Sequence, residues 1–206
     1  MAAPRRGART ERDGDARLYR ARAHVPELID VPPARFLAID GRGEPGDEAF
    51  QEAIRALFTV AYNAKFALEK AGGENVKIPP LEGLYSGIGL ESSAEAEPGP
   101  LSWTLVLRLP EPLDDALVGR TLADARAKGS LPALDRVQVV EIAEDACVQV
   151  LHVGPYSAEA PTIELMRTFM RAHGLEPRGP HHEIYLGDPR RAKPERLKTI
   201  LRQPVG

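Results

Sequence analysis

Two stretches of this chain are built to one plan, and that plan constrains the fold. Glu27–Gly43 reads ELIDVPPARFLAIDGRG and Val140–Tyr156 reads VEIAEDACVQVLHVGPY. Each is a short apolar run, a turn-like break, a second apolar run and a glycine. Gly41 aligns with Gly154 without a gap. A loop and a helical pattern follow each glycine, and two more strand-like runs follow each helix. Self-similarity on this scale predicts a duplicated supersecondary unit.

The helical patterns are explicit. Phe50, Ile54, Leu57, Phe58, Ala61 and Leu68 fall on one stripe of a helix expected over Asp47–Lys70, which Gly72 and Gly73 stop. Ile163, Met166, Phe169 and Met170 do the same over Pro161–His173, with Pro161 suited to the first turn and Gly174 ending it. The strand pair after the first helix lies near Glu82–Gly89 and Trp103–Pro110, and the pair after the second near Glu183–Pro189 and Lys198–Val205. Ser92–Pro100 reads as a polar loop within the first pair. A linker helix within 113–129 joins the halves, with Asp114 as its N-cap and Gly129 as its stop.

The expected fold is therefore α+β: a strand–helix–strand–strand unit, opening on a hairpin and used twice. Repeat one covers 27–110, repeat two 138–206, and both form a single domain over 27–206. Residues 1–26 are expected as a mobile, solvated extension. One copy alone cannot bury both faces of a sheet. Two copies side by side can carry their helices on one face and leave the opposite face open as a cleft at their junction. Such junctions commonly hold small molecules.

Other function classes are excluded by charge and composition. A net charge of −3 argues against nucleic-acid binding, and Glu11, Asp13 and Asp15 interrupt the arginine-rich start. Cys147 is the single cysteine, so there is no intrachain disulfide and no cysteine cluster for a metal. As a nucleophile it would need a base and an anion site, whereas its place before VQVLHV suits a small core residue. No apolar run approaches the ~20 residues that span a bilayer, and the start lacks a signal-peptide core. A cytoplasmic protein without a membrane partner is expected. GRGEPG (Gly41–Gly46) lacks the Lys-Ser/Thr of a phosphate loop and reads as a turn, so no cofactor is expected. The oligomeric state is left open.

The chemistry points to HHEIYLGDPRR (His181–Arg191), where a strand-like run carries an acid in its middle. A carboxylate in a strand is costly unless it has a partner or a task. Alternation puts His181, Glu183 and Tyr185 on one face and His182, Ile184 and Leu186 on the other. The second face holds two large aliphatics, so it is expected to meet the helices and to leave Glu183 and Tyr185 in the open cleft. For Trp103, Leu105 and Leu107, alternation alone does not say which face they share with the cleft. Adjacent His181 and His182 point to opposite faces and cannot share an ion. His181, Glu183 and His152 lack any recognised metal spacing, so no metal is expected. His152 is expected beside the cleft, and Tyr62 and Tyr156 near its rim.

At these residues the sequence resembles the GyrI-like small-molecule-binding family, whose fold is also attached to some multidrug-sensing transcription factors. The resemblance runs from about Leu18 to the C-terminus. It is strongest in VPPARFLAIDGRGEPG, CVQVLHVGPYSAEAPTIELM and HHEIYLGDPRRAKPERLKTILRQPV. It implies the duplicated strand–helix–strand–strand fold. It also implies an acid in the central cleft that helps bind aromatic, often cationic compounds, and Glu183 in its EIY context matches that position. Some stand-alone members resemble hydrolases that open the cyclopropane ring of DNA-alkylating natural products, which implies detoxification or self-resistance.

On that reading Glu183, Tyr185 and Tyr156 are the candidate catalytic residues. Tyr85, Trp103, His152 and Tyr62 are the candidate ligand-binding residues. Similar proteins often carry tryptophan where this chain has Ser86. Two readings stay open: a hydrolase, or a non-catalytic module that senses or sequesters aromatic or cationic compounds. With no separate DNA-binding unit apparent, direct transcriptional control is not expected.

Overall fold

A computed structural model describes residues 16–86, 101–129 and 131–206. The loop expected over Ser92–Pro100 and residues 1–15 lie outside the described residues. The elements are β1 (Glu27–Val31), β2 (Ala34–Arg42), α1 (Glu48–Lys70), β3 (Leu81–Ser86), β4 (Ser102–Arg108), α2 (Asp115–Ala127), β5 (Gln138–Ile142), β6 (Asp145–Val153), α3 (Ala160–His173), β7 (His181–Tyr185) and β8 (Lys198–Pro204). Helix ends follow local chemistry. The Asp47 and Asp114 carboxylates accept from the backbone N–H groups of Phe50 and Leu117, and Gly174 ends α3 in the left-handed conformation.

All eight strands form one antiparallel sheet in the order β1-β6-β8-β7-β3-β4-β2-β5. Exchanging the matching strands of the two repeats gives the same order read backwards. The duplication is thus a pseudo-twofold between β3 and β7. Helix α2 has no counterpart.

The expected opening hairpins do not form. β1 pairs with β6 of the second repeat, and β5 pairs with β2 of the first. Pro32-Pro33 is the whole link between β1 and β2. A two-residue hairpin loop needs positive or permissive φ, and proline is fixed near −65°. The chain therefore steps across to the other half instead of turning back. These short links join strands far apart in the sheet order, which requires the sheet to curl into a half-barrel.

Curling buries both faces. On one, Leu37, Ile39, Leu105 and Leu107 pack under Ala53, Leu57 and Val60 of α1, and Val148, Val150 and Leu201 pack under Met166 and Met170 of α3. On the other, Phe36, Ala38 and Val106 form one cluster, and Ile29, Val31 and buried Cys147 form another under Leu18. Residues 16–26 thus depart from the expected mobile extension. Leu18 is buried, Tyr19 donates to Glu82 at 2.8 Å, and the Leu151 N–H donates to the Arg22 carbonyl at 3.1 Å. They cover apolar strand surface that would otherwise meet water.

Candidate functional site

The face assignment expected for β7 is reversed. Glu183 lies opposite Gly83, whose face also carries Tyr85, Trp103, Leu105 and Ile39, the face that bears the helices. The expectation failed because it assumed that only one face is apolar, whereas His182 and Ile184 point into an equally buried face. The cleft is not opposite the helices but between them. Helix α1 rests on β2 and β4, α3 rests on β6, and the central strands β3 and β7 lie in the gap.

Three tyrosine and glutamate side chains of the central strands, Tyr85, Glu183 and Tyr185, meet in that gap with two, Tyr156 and Glu159, from the segment before α3. The Tyr85 and Tyr185 hydroxyls are 2.5 Å apart, and the Tyr185 hydroxyl hydrogen-bonds Glu183. Each phenol has one proton and a carboxylate only accepts. The network therefore runs from Tyr85 to Tyr185 to ionised Glu183. Tyr156 packs edge-on against Tyr185, centroids 5.7 Å apart and planes at 79°. Tyr85 and Glu159 are buried, Glu183 and Tyr185 partly so, and Tyr156 is 41% exposed at the open side.

Gly83 makes the tyrosine contact possible. A Cβ there would stand 2.7 Å from Tyr85 Cε2 and 3.1 Å from the Tyr185 hydroxyl. Only a residue without a side chain lets both hydroxyls cross this strand.

Burial raises the Glu183 carboxyl above the usual carboxylate range, against the opposing Tyr185 hydrogen bond and the His182 charge. Glu159 is raised too, first by burial and then by the charge of Glu183. Tyr85, Tyr156 and Tyr185 are all raised by burial and next by Glu183, so none readily ionises. The gap is a low-dielectric site holding two carboxyls and a relay of phenols.

Behind β7 the other face carries a closed ionic cluster. His182 sits 2.8 Å from Glu82 and 2.9 Å from Glu144, and Arg202 sits 3.5 Å from Glu144. Burial disfavours the imidazolium, but Glu144 and Glu82 override it and raise His182. Glu144 is lowered despite burial by His182 and Arg202. This cluster is internally paired and structural.

The other residues expected at the site are elsewhere or engaged. Trp103 is 2% exposed. Its ring lies over Gly41, where a Cβ would be 2.1 Å away, and edge-on to Phe50 at 5.1 Å. Trp103 is a core residue under α1, not a free stacking wall, because the strand face it shares is the one α1 covers. His152 is buried beside Thr162 Oγ1 (3.0 Å from Nδ1) and the Pro155 carbonyl (3.2 Å from Nε2). It fixes the loop that carries Tyr156. Tyr62 stacks between Phe58 and Phe66 along α1 and lines an outer groove of about 770 Å³. Ser86 is exposed on the face of β3 opposite Tyr85. Among the described residues no group of His, Cys, Asp and Glu is set to hold a metal ion, and no helix is long and apolar enough to cross a membrane.

Sequence reading missed Glu159. In GPYSAEAPTIELM an acid two residues before Pro161 reads as an ordinary helix-start carboxylate. Here it makes no capping hydrogen bond.

Comparison with known proteins agrees with this architecture. The profile of the GyrI-like small molecule binding domain matches residues 24–205. The chain belongs to the GyrI-like family. A crystal structure of a Listeria innocua protein described as a hydrolase is 36% identical to this GyrI-like chain, with a TM-score of 0.78 over 94% of this chain and 98% of the other. An uncharacterized conserved protein from Listeria innocua is also 36% identical, with a TM-score of 0.82 over 94% and 98%. The C-terminal domain of EcmrR shares the fold at 11% identity, with a TM-score of 0.52 over 88% and 97%. A comparison with curated proteins gave no match.

Proposed function

We propose that this GyrI-like domain binds a small aromatic molecule over β3 and β7 and hydrolyses one whose electrophilic carbon is conjugated to a carbonyl. Cyclopropane-bearing DNA-alkylating natural products are of that class, and their hydrolysis would serve detoxification or self-resistance. The observation that carries the reading is Glu183: a strand-centre carboxyl raised by burial and hydrogen-bonded to a tyrosine relay, in a gap between helices. The 36% identity to a protein described as a hydrolase supports it.

In the reaction Glu183 takes a proton from water as the water oxygen bonds to a cyclopropane carbon. The carbon–carbon bond breaks, and its electron pair runs through the conjugated ring to the carbonyl oxygen. Tyr156, at the open side, hydrogen-bonds that oxygen as it gains charge; the oxygen then takes a proton from solvent to give the phenol, Glu183 releases its own to solvent, and Tyr85 and Tyr185 orient Glu183. General-base help contributes about 10²–10⁴-fold, and positioning contributes the rest. The rate rises with pH as Glu183 ionises.

A second reading, a binding module for aromatic cations, is favoured by one observation. Neither Glu159 nor Glu183 is ion-paired with a described Lys or Arg, so a ligand cation would find an acidic pair with no Lys or Arg counter-ion. A thermal-shift screen of neutral and cationic aromatics, followed by mass analysis of each hit, separates the two. A product heavier by one water supports the hydrolase. Saturable binding with unchanged mass supports the module, and no stabilising compound removes both.

A further inference from the structure

Glu159 has no task in the reading above, and its setting is unusual. It is 8% exposed, and its Oε1 is buried without a hydrogen-bond partner. It occupies the N-cap of α3 yet donates nothing to, and accepts nothing from, that helix end through its side chain. It feels the charge of Glu183 across the gap, and its own charge is felt by Tyr85 of β3 and by Tyr156 before α3. Tyr185 of β7 and His152 of β6 complete the titratable groups around it, and His152 is occupied by Thr162 and Pro155. No described Lys or Arg is ion-paired with either acid, and His182 acts on Glu183 only from behind the strand.

We infer that Glu159 is the proton-holding partner of Glu183, a positioning residue that keeps the cleft at one negative charge and keeps that charge on Glu183. Two buried carboxyls without a cation cannot both ionise cheaply. The ionised form falls to Glu183, because the Tyr185 hydrogen bond and the His182 charge behind the strand both favour it. Glu159 has neither aid, and its orphan oxygen suits a neutral acid better than an anion. Burial and Glu183 raise its carboxyl further.

The role matters to turnover, and this consequence rests on the hydrolase reading. Negative charge develops on the carbonyl oxygen as the ring opens. A second anion in the same low-dielectric gap opposes that charge. Hydrolysis should therefore rise with pH as Glu183 ionises and fall again as Glu159 loses its proton. The pair carries one proton throughout the productive range.

The protonation itself is tested without any substrate. NMR of wild-type protein with isotope-labelled glutamate carboxyls follows each acid through pH. Two resonances should titrate above the ordinary carboxylate range, and the higher of them should vanish in Glu159→Gln and persist in Glu183→Gln. If every glutamate titrates in the ordinary range, or the higher resonance survives Glu159→Gln, the inference is overturned. In the kinetic arm, with the parent spirocyclopropyl cyclohexadienone as probe, Glu159→Gln should abolish the alkaline decline and raise the alkaline-to-neutral rate ratio about tenfold. An unchanged bell in that variant overturns the role in turnover. A wild type that shows the higher resonance but no hydrolysis removes the hydrolase reading and leaves the proton-holding assignment in place.

Discussion

Gly83→Ala places a methyl group in the contact on which the site depends. The new Cβ would lie 2.7 Å from Tyr85 Cε2, 3.0 Å from the Tyr85 hydroxyl and 3.1 Å from the Tyr185 hydroxyl. Ordinary contact begins near 3.4 Å, so the Tyr85 ring must retreat by roughly 0.7 Å in a close-packed interior. Tyr85 is 3% exposed and has no open side to swing into. Overpacking of this kind costs about 1–3 kcal/mol, and alanine recovers about 0.5–1 kcal/mol of backbone entropy. The net loss expected is about 1–2 kcal/mol, a fall in Tm of about 2–8 °C for a chain of this size. Function should suffer more, since misplacement approaching 1 Å at a reacting group costs about 10²-fold. Thermal denaturation and ligand titration of the variant measure both. Gly119→Ala is the control, because a Cβ there meets nothing within 4 Å in α2 and should stabilise by about 0.5–1 kcal/mol. A Gly83→Ala protein as stable as wild type, with unaltered binding, refutes the argument that the tyrosine pair is sterically locked.

Three further outcomes follow from the geometry. Trp103 emission should be that of a buried indole, and its maximum should not move when a ligand binds at Glu183; a ligand-dependent shift would put Trp103 back in the site. Glu144→Gln should destabilise by about 3–5 kcal/mol in denaturant titration, because it leaves His182 and Arg202 facing a lost charge; a loss below 1 kcal/mol would show the cluster to be solvated. The same cluster sets a pH window: His182, raised to about 9, stabilises fully below its unfolded value of 6.5 and loses that contribution as pH rises through 9, while Glu144, lowered to about 2, loses its own as pH falls toward 2. Stability that keeps rising above pH 9 contradicts this.

Much of the fold was legible because it rests on local signals. The stripe from Phe50 to Leu68, the caps at Asp47 and Asp114 and the stop at Gly174 each follow from neighbouring residues. Strand exchange was not legible as sheet order, although Pro32-Pro33 already forbids a tight hairpin between β1 and β2. The site was half legible. Strand alternation grouped Glu183 with Tyr185 correctly and failed on the face, because Phe36, Val106 and Ile184 make the second face as apolar as the first. Tyr85 and Tyr156 do meet Tyr185. Trp103 does not join them, since Gly41 opposite it offers space that only the tertiary register reveals. Glu159 was invisible because its distinction lies in the hydrogen bonds it fails to make.

The central claim is that Glu183 is the working group of the cleft. Its most direct test is turnover of the parent spirocyclopropyl cyclohexadienone by wild type and by Glu183→Gln, each checked for native folding. Wild type should give the hydroxyethyl phenol at a rate that rises with pH as Glu183 ionises. Glu183→Gln should lose about 10²-fold or more and show no such rise, while still binding a neutral aromatic. Equal rates and equal pH profiles for the two proteins would contradict the account.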